Sequence, residues 1–89
     1  MALSEPDARI LAALARLDDG AALSVPELCR ATGLSESTIR TGLTRHHYWG
    51  SVRQSRRTRG TCPMEWRATS IGRAVMRQPM YRDLMAVPV

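Results

Sequence analysis

The chain has 89 residues, 44% of them apolar, and sets 13 arginines and no lysine against 8 acids, for a formal net charge of +5. That length predicts one domain spanning 1–89, with a thin core over 1–78 and a tail at 79–89. No apolar run approaches the roughly 18 residues of a membrane span, and no basic-then-apolar secretory pattern opens the chain. A cytoplasmic protein with no membrane association is therefore expected.

Glu5, Pro6 and Asp7 after Ser4 read as a capped helix start, and Ile10, Leu11, Leu14 and Leu17 then recur at helical spacing. Asp18-Asp19-Gly20 reads as its stop. Leu23 closes a short stretch with strand character. Ser24-Val25-Pro26-Glu27 starts a second helix, with the glutamate placed to complete a capping box. Gly33 supplies the positive φ that closes it.

Ser35 caps a third helix running to about Trp49, and Gly50 ends it. Ser51–Ser55 and Thr61–Ala68 read as the two strands of a hairpin. Pro63 lacks an amide donor, so its strand should be an edge strand or carry a bulge there. Thr69 starts a fourth helix, with Ile71, Ala74 and Val75 expected to face inward. Pro79 interrupts it, and Tyr81–Ala86 reads as one more helical turn. The fold class is mainly α with a small β-hairpin.

Charge is placed unevenly. Residues 1–36 hold six acids and three arginines, a net of −3, whereas 37–89 hold ten arginines and two acids, a net of +8. Such asymmetry suits a face turned toward a polyanion.

On the third helix, at 100° per residue from Ile39, Leu43 and His46 fall on one face. Ser37, Thr41, Thr44 and Tyr48 fall opposite, at about 140° to 200°, flanked by Arg40 at about 100° and Arg45 at about 240°. Hydroxyls bracketed by arginines suit base edges in a DNA groove; an ordinary solvated face usually mixes in Glu and Lys. Gly42 borders the inward face and should let the preceding helix pack closely. Arg53, Arg56, Arg57 and Arg59 crowd the hairpin tip, where they repel one another and gain nothing for folding. They suit a phosphate backbone or a narrow minor groove.

Val25 to Arg40, with Thr32-Gly33-Leu34-Ser35 as its turn, and Trp66-Arg67-Ala68-Thr69-Ser70-Ile71-Gly72-Arg73 together resemble winged helix-turn-helix regulators. The resemblance covers about residues 7–77. It implies a three-helix core, a wing hairpin and a C-terminal helix. Double-stranded DNA is the partner it implies. Ser37, Arg40, Thr41, Thr44 and Arg45 would face the groove, and Ser35, Arg53, Arg56, Arg57 and Arg59 the backbone. The expected role is sequence-specific binding by a repressor-like transcriptional regulator. The alternatives are an excisionase-like DNA-architecture factor and a winged-helix protein-interaction module.

Two positions depart from that family's pattern: His46 replaces an apolar residue, and Ser51 replaces a leucine. Trp49 and Trp66 are expected to share the core under the wing. Met76, Met80, Tyr81, Leu84 and Met85 make the tail apolar. They are candidates for a homodimer contact, or for folding back on Leu11 and Leu14. Cys29, His46, His47 and Cys62 are the right types for zinc but scattered, so no metal and no cofactor is expected. No nucleophile-base-orienter set is visible, so no catalysis is expected.

Overall fold

The computed structural model describes residues 3–18, 21–55 and 64–85. Helix α1 spans Glu5–Ala15, strand β1 Leu23–Ser24, α2 Val25–Thr32, α3 Glu36–Tyr48, β2 Val52–Gln54, β3 Glu65–Ala68 and α4 Ser70–Met76. A 3-10 turn at Pro79–Tyr81 and a short α5 at Arg82–Met85 follow. The fold is mainly helical with a small antiparallel wing, as expected.

Helix α1 is the centre of the molecule. Every residue from Ile10 to Ala15 is buried, which suits a helix covered on all sides. It packs against α2, α3, α4, α5 and β3. Ile10, Leu11 and Leu14 meet Leu28, Ile39, Leu43, Val52 and Met76 in one core. Fully burying each such side chain contributes about 1.5–3 kcal/mol, so these few residues set the stability of a small chain. Helix α1 ends at Ala15, short of the Asp18 stop. Arg73 instead holds this end, donating to Ala15 O, the helix's last carbonyl, and to Leu17 O just beyond it at 3.1 Å each.

The caps follow the sequence. Ser4, Ser24, Ser35 and Thr69 each accept a backbone N–H of the following first turn. At α2 the box is complete: Glu27 accepts the Ser24 N–H at 2.9 Å. The Ser24 backbone N–H and then its hydroxyl hold the Glu27 carboxyl below the usual carboxylate range.

Strand order is β1-β3-β2, with Leu23 opposite Trp66, Ser24 opposite Glu65, and Val52, Arg53 and Gln54 opposite Ala68, Arg67 and Trp66. Strand β3 is therefore central, not an edge. Its described pairing begins at Glu65, two residues past Pro63, which with Cys62 lies outside the described residues. Ser24 belongs to two structures at once, as β3's partner and as the cap of α2.

Helix α3 ends in a Schellman motif. Gly50 has φ +78°, the Ser51 N–H bonds His46 O at 2.8 Å, and the Gly50 N–H bonds His47 O at 3.1 Å. The two residues that this motif usually joins by an apolar contact are His46 and Ser51, both buried. The two departures noted in the sequence thus occupy one structural joint.

Three expectations are corrected. Ile71 and Ala74 are exposed, and α4 instead buries Gly72 and Met76. The reason is close packing at Gly72, where a Cβ would run into the Ser51 carbonyl and reach Leu11 Cδ1 at 3.0 Å. Gly42 does permit a close approach, but the neighbour is α1, through Ile10 and Asp7, rather than α2. Trp49 and Trp66 do not share a core. Each is half-buried and lies edge-on to a histidine, Trp49 to His46 and Trp66 to His47, with centroids 5.7 Å apart.

The tail folds back on α1. Tyr81 and Met76 are buried, the Tyr81 hydroxyl accepts the Leu3 N–H at 2.8 Å, and Arg16 donates to Leu84 O. Of the five residues considered for a dimer contact, Met80 alone stays largely exposed. Among the described residues no helix is long and apolar enough to cross a membrane.

Candidate nucleic-acid interface

One face of α3 is packed and the other is open. Ile39, Leu43 and His46 are buried on α1 and the wing, while Ser37, Arg40, Thr41, Thr44, Arg45 and Tyr48 are exposed, as 100° periodicity predicts. Ser35, at the cap, is exposed too. Its hydroxyl pairs with Thr38 Oγ1 at 2.8 Å.

The outward side chains differ in freedom. Arg40 reaches Glu36 at 3.3 Å, with both side chains more than 60% exposed. Exposed pairs of that kind are worth about 0–1 kcal/mol, so this contact yields readily to a competing acceptor. The Thr44 hydroxyl donates to Arg40 O at 3.0 Å, whereas that of Thr41 makes no hydrogen bond among the described residues.

Arg45 is held. Its Nε and one Nη donate to the two carboxylate oxygens of Asp7 at 2.8 and 2.7 Å. The two-pronged bond from Arg45 keeps the Asp7 carboxyl below the usual range, against the opposing effect of burial. The next residue grips the same acid. His46 Nε2 lies 2.8 Å from Asp7 O, so the ring carries its proton on Nε2 and donates it to that carbonyl. Consecutive residues of α3 thereby lock its last turns to the first turn of α1. Nothing in residue spacing signals this pair, which spans 38 positions.

His46 is fully buried, and its Nδ1 has no partner among the described residues. Burial pushes the ring's pKa below 6.5, the Asp7 contacts oppose that shift, and Arg45 adds to it. The unfolded chain therefore takes a proton near pH 6.5 that the fold refuses. Stability should be level with respect to this group above pH 6.5 and decline below it, by at most about 1.4 kcal/mol per pH unit. Urea titrations at pH 7.5, 6.5 and 5.5 check this. A decline in the wild type that His46→Leu abolishes is expected, and a flat wild-type profile would refute it.

The wing adds charge. Val52, Gln54, Trp66 and Ala68 share the sheet face toward the core, so Arg53 and Arg67 lie directly opposite each other on the other face. Like charges in that position are destabilising. Among the described residues neither has an acidic partner. Arg56, Arg57 and Arg59 lie outside the described residues. A cleft of about 500 Å³ separates α3 from the sheet, lined by Val25, Leu43, Thr44, Gln54, Met64 and Trp66 among others. No group of three or more His, Cys, Asp or Glu side chains placed to hold a metal occurs among the described residues.

Neither a scan of family models nor a search of curated proteins finds a match for this chain. A solved structure does. The crystal structure of a candidate DNA-binding protein from Ralstonia eutropha JMP134 superposes with a TM-score of 0.69 at 19% identity, covering 96% of this chain and 100% of that one. At that identity the likeness speaks for the fold.

Proposed function

We propose that the chain is a winged helix-turn-helix protein that binds double-stranded DNA sequence-specifically, as a repressor-like transcriptional regulator. Helix α3 enters the major groove, with Ser37, Arg40, Thr41 and Thr44 toward base edges and Arg45 at the flank. Ser35, Arg53 and the tip arginines Arg56, Arg57 and Arg59 meet the backbone.

The observation that carries this reading is the open face of α3. Hydroxyls and a weakly held guanidinium stand exposed there, beside a wing whose opposed arginines have no acidic partner among the described residues. The similar fold of a protein described as a DNA-binding candidate supports it. With Met76 and Tyr81 committed to the chain's own core, a dimer formed through the tail would rest on Met80, Leu84 and Met85.

Selection from random duplex DNA tests the reading. One preferred sequence should emerge. Arg40→Ala, Thr41→Ala and Thr44→Ala should each flatten the preference at particular positions, by about 1–3 kcal/mol where a bidentate base contact is lost. Arg53→Ala should weaken all sequences alike. Unchanged selectivity in the three α3 variants would overturn the assignment.

A further inference from the structure

Resting on the DNA-binding reading, we infer that the notch between the first turn of α1 and the outward face of α3 seats one backbone phosphate, with Arg45 as its ligand and Asp7 as the residue that positions Arg45.

The notch holds about 270 Å³ and is lined by Pro6, Ser37, Thr38, Thr41 and Arg45. No acid lines it. Behind it lies Asp7, whose side chain is 5% exposed and whose two oxygens are both taken by Arg45. A guanidinium has five N–H donors. The Asp7 fork uses two of them and leaves three, on a side chain still 43% exposed. Arg45 is thus fixed in place and open to solvent at once.

That combination suits the backbone better than a base. An arginine that reads guanine must extend along the groove floor, and Arg40, loosely held by Glu36, is free to do so. Arg45 is tethered at the flank of the helix, where the strand bordering the groove passes. A planar fork locked from behind meets a tetrahedral oxyanion at little cost in side-chain entropy.

The experiment uses the whole chain and a duplex taken from the selection. Each phosphate is replaced singly by a neutral methylphosphonate, and affinity is read by fluorescence anisotropy. In the wild type one position should cost about tenfold, the scale of a charge-assisted hydrogen bond. In Arg45→Lys, which keeps the charge and loses the fork, that position should cost less than about twofold while all others keep their wild-type penalty. Asp7→Asn should lose the same coupling; thermal melts check the folding of both variants, and Arg45→Lys alone decides if Asp7→Asn unfolds.

Several results would overturn the inference. One is equal sensitivity of wild type and Arg45→Lys at every phosphate. Another is a changed base preference in Arg45→Lys, which makes Arg45 a base reader. A third is millimolar inorganic phosphate shifting the Ser37 and Thr41 amide resonances with no duplex position coupled to Arg45, which makes the notch a site for free phosphate. Duplex binding without coupling removes this inference alone; no duplex binding at any salt removes the proposed function with it.

Discussion

Gly72→Ala is expected to cost at least about 3 kcal/mol and to lower the melting temperature by roughly 10–20 °C for a chain this short. The new methyl would meet the Ser51 backbone carbonyl and the Leu11 side chain. A flexible side-chain tip could move aside; a backbone carbonyl cannot do so alone. That carbonyl accepts the Thr69 N–H at 3.0 Å, and the Thr69 hydroxyl bonds Gly50 O at 2.6 Å while accepting the Gly72 N–H. Displacing Ser51 therefore loosens the end of α3, the start of β2 and the cap of α4 together. Gly33→Ala is the control. Its φ is +75° but nothing lies within 4 Å, so only the left-handed backbone penalty applies, about 1–2 kcal/mol. Thermal melts of the two variants compare these costs. A Gly72→Ala melt within about 3 °C of wild type would mean that α4 is not seated as described.

The salt dependence of duplex binding should be steep. If about five arginines neutralise phosphates, log K falls against log salt with a slope near −4 to −5. Affinity should then drop roughly 300- to 1,000-fold between 50 and 200 mM salt. Removing Arg56, Arg57 or Arg59 singly should reduce the slope by about 1. Anisotropy titrations at four salt concentrations measure it, and a slope near zero would sink the polyanion reading. The wing's opposed Arg53 and Arg67 make the point structurally, since a sheet gains nothing from setting two cations face to face.

Much of the fold was legible because its signals are local. Serine and threonine caps, the Gly33 and Gly50 stops and the 100° period of α3 depend on neighbours within one or two turns. The exposed face of Ser37, Arg40, Thr41 and Thr44 followed from that period alone. Ile71 misled because an i, i+4 pair with Val75 reads as an inward face. The rotation of α4 is decided instead by where backbone touches backbone, and a glycine is the only trace of that in the sequence. Arg45 looked like a free groove contact because its partner, Asp7, is explained equally well as a helix-start acid. The tail's fate was open for a similar reason: whether apolar residues cover their own core or another molecule depends on tertiary distances.

The double membership of Ser24 couples the base of the sheet to the first turn of α2. Its pairing with Glu65 ties the wing to the strand ahead of α2, while its hydroxyl and N–H hold α2's first turn. Moving β3 at Glu65 would disturb that turn, and α2 packs against α3. A duplex gripped by helix and hairpin together would have to adapt its own width and curvature to the gap between them. On the proposed DNA-binding reading, duplexes that bend or narrow cheaply would then gain affinity at base pairs that no side chain touches.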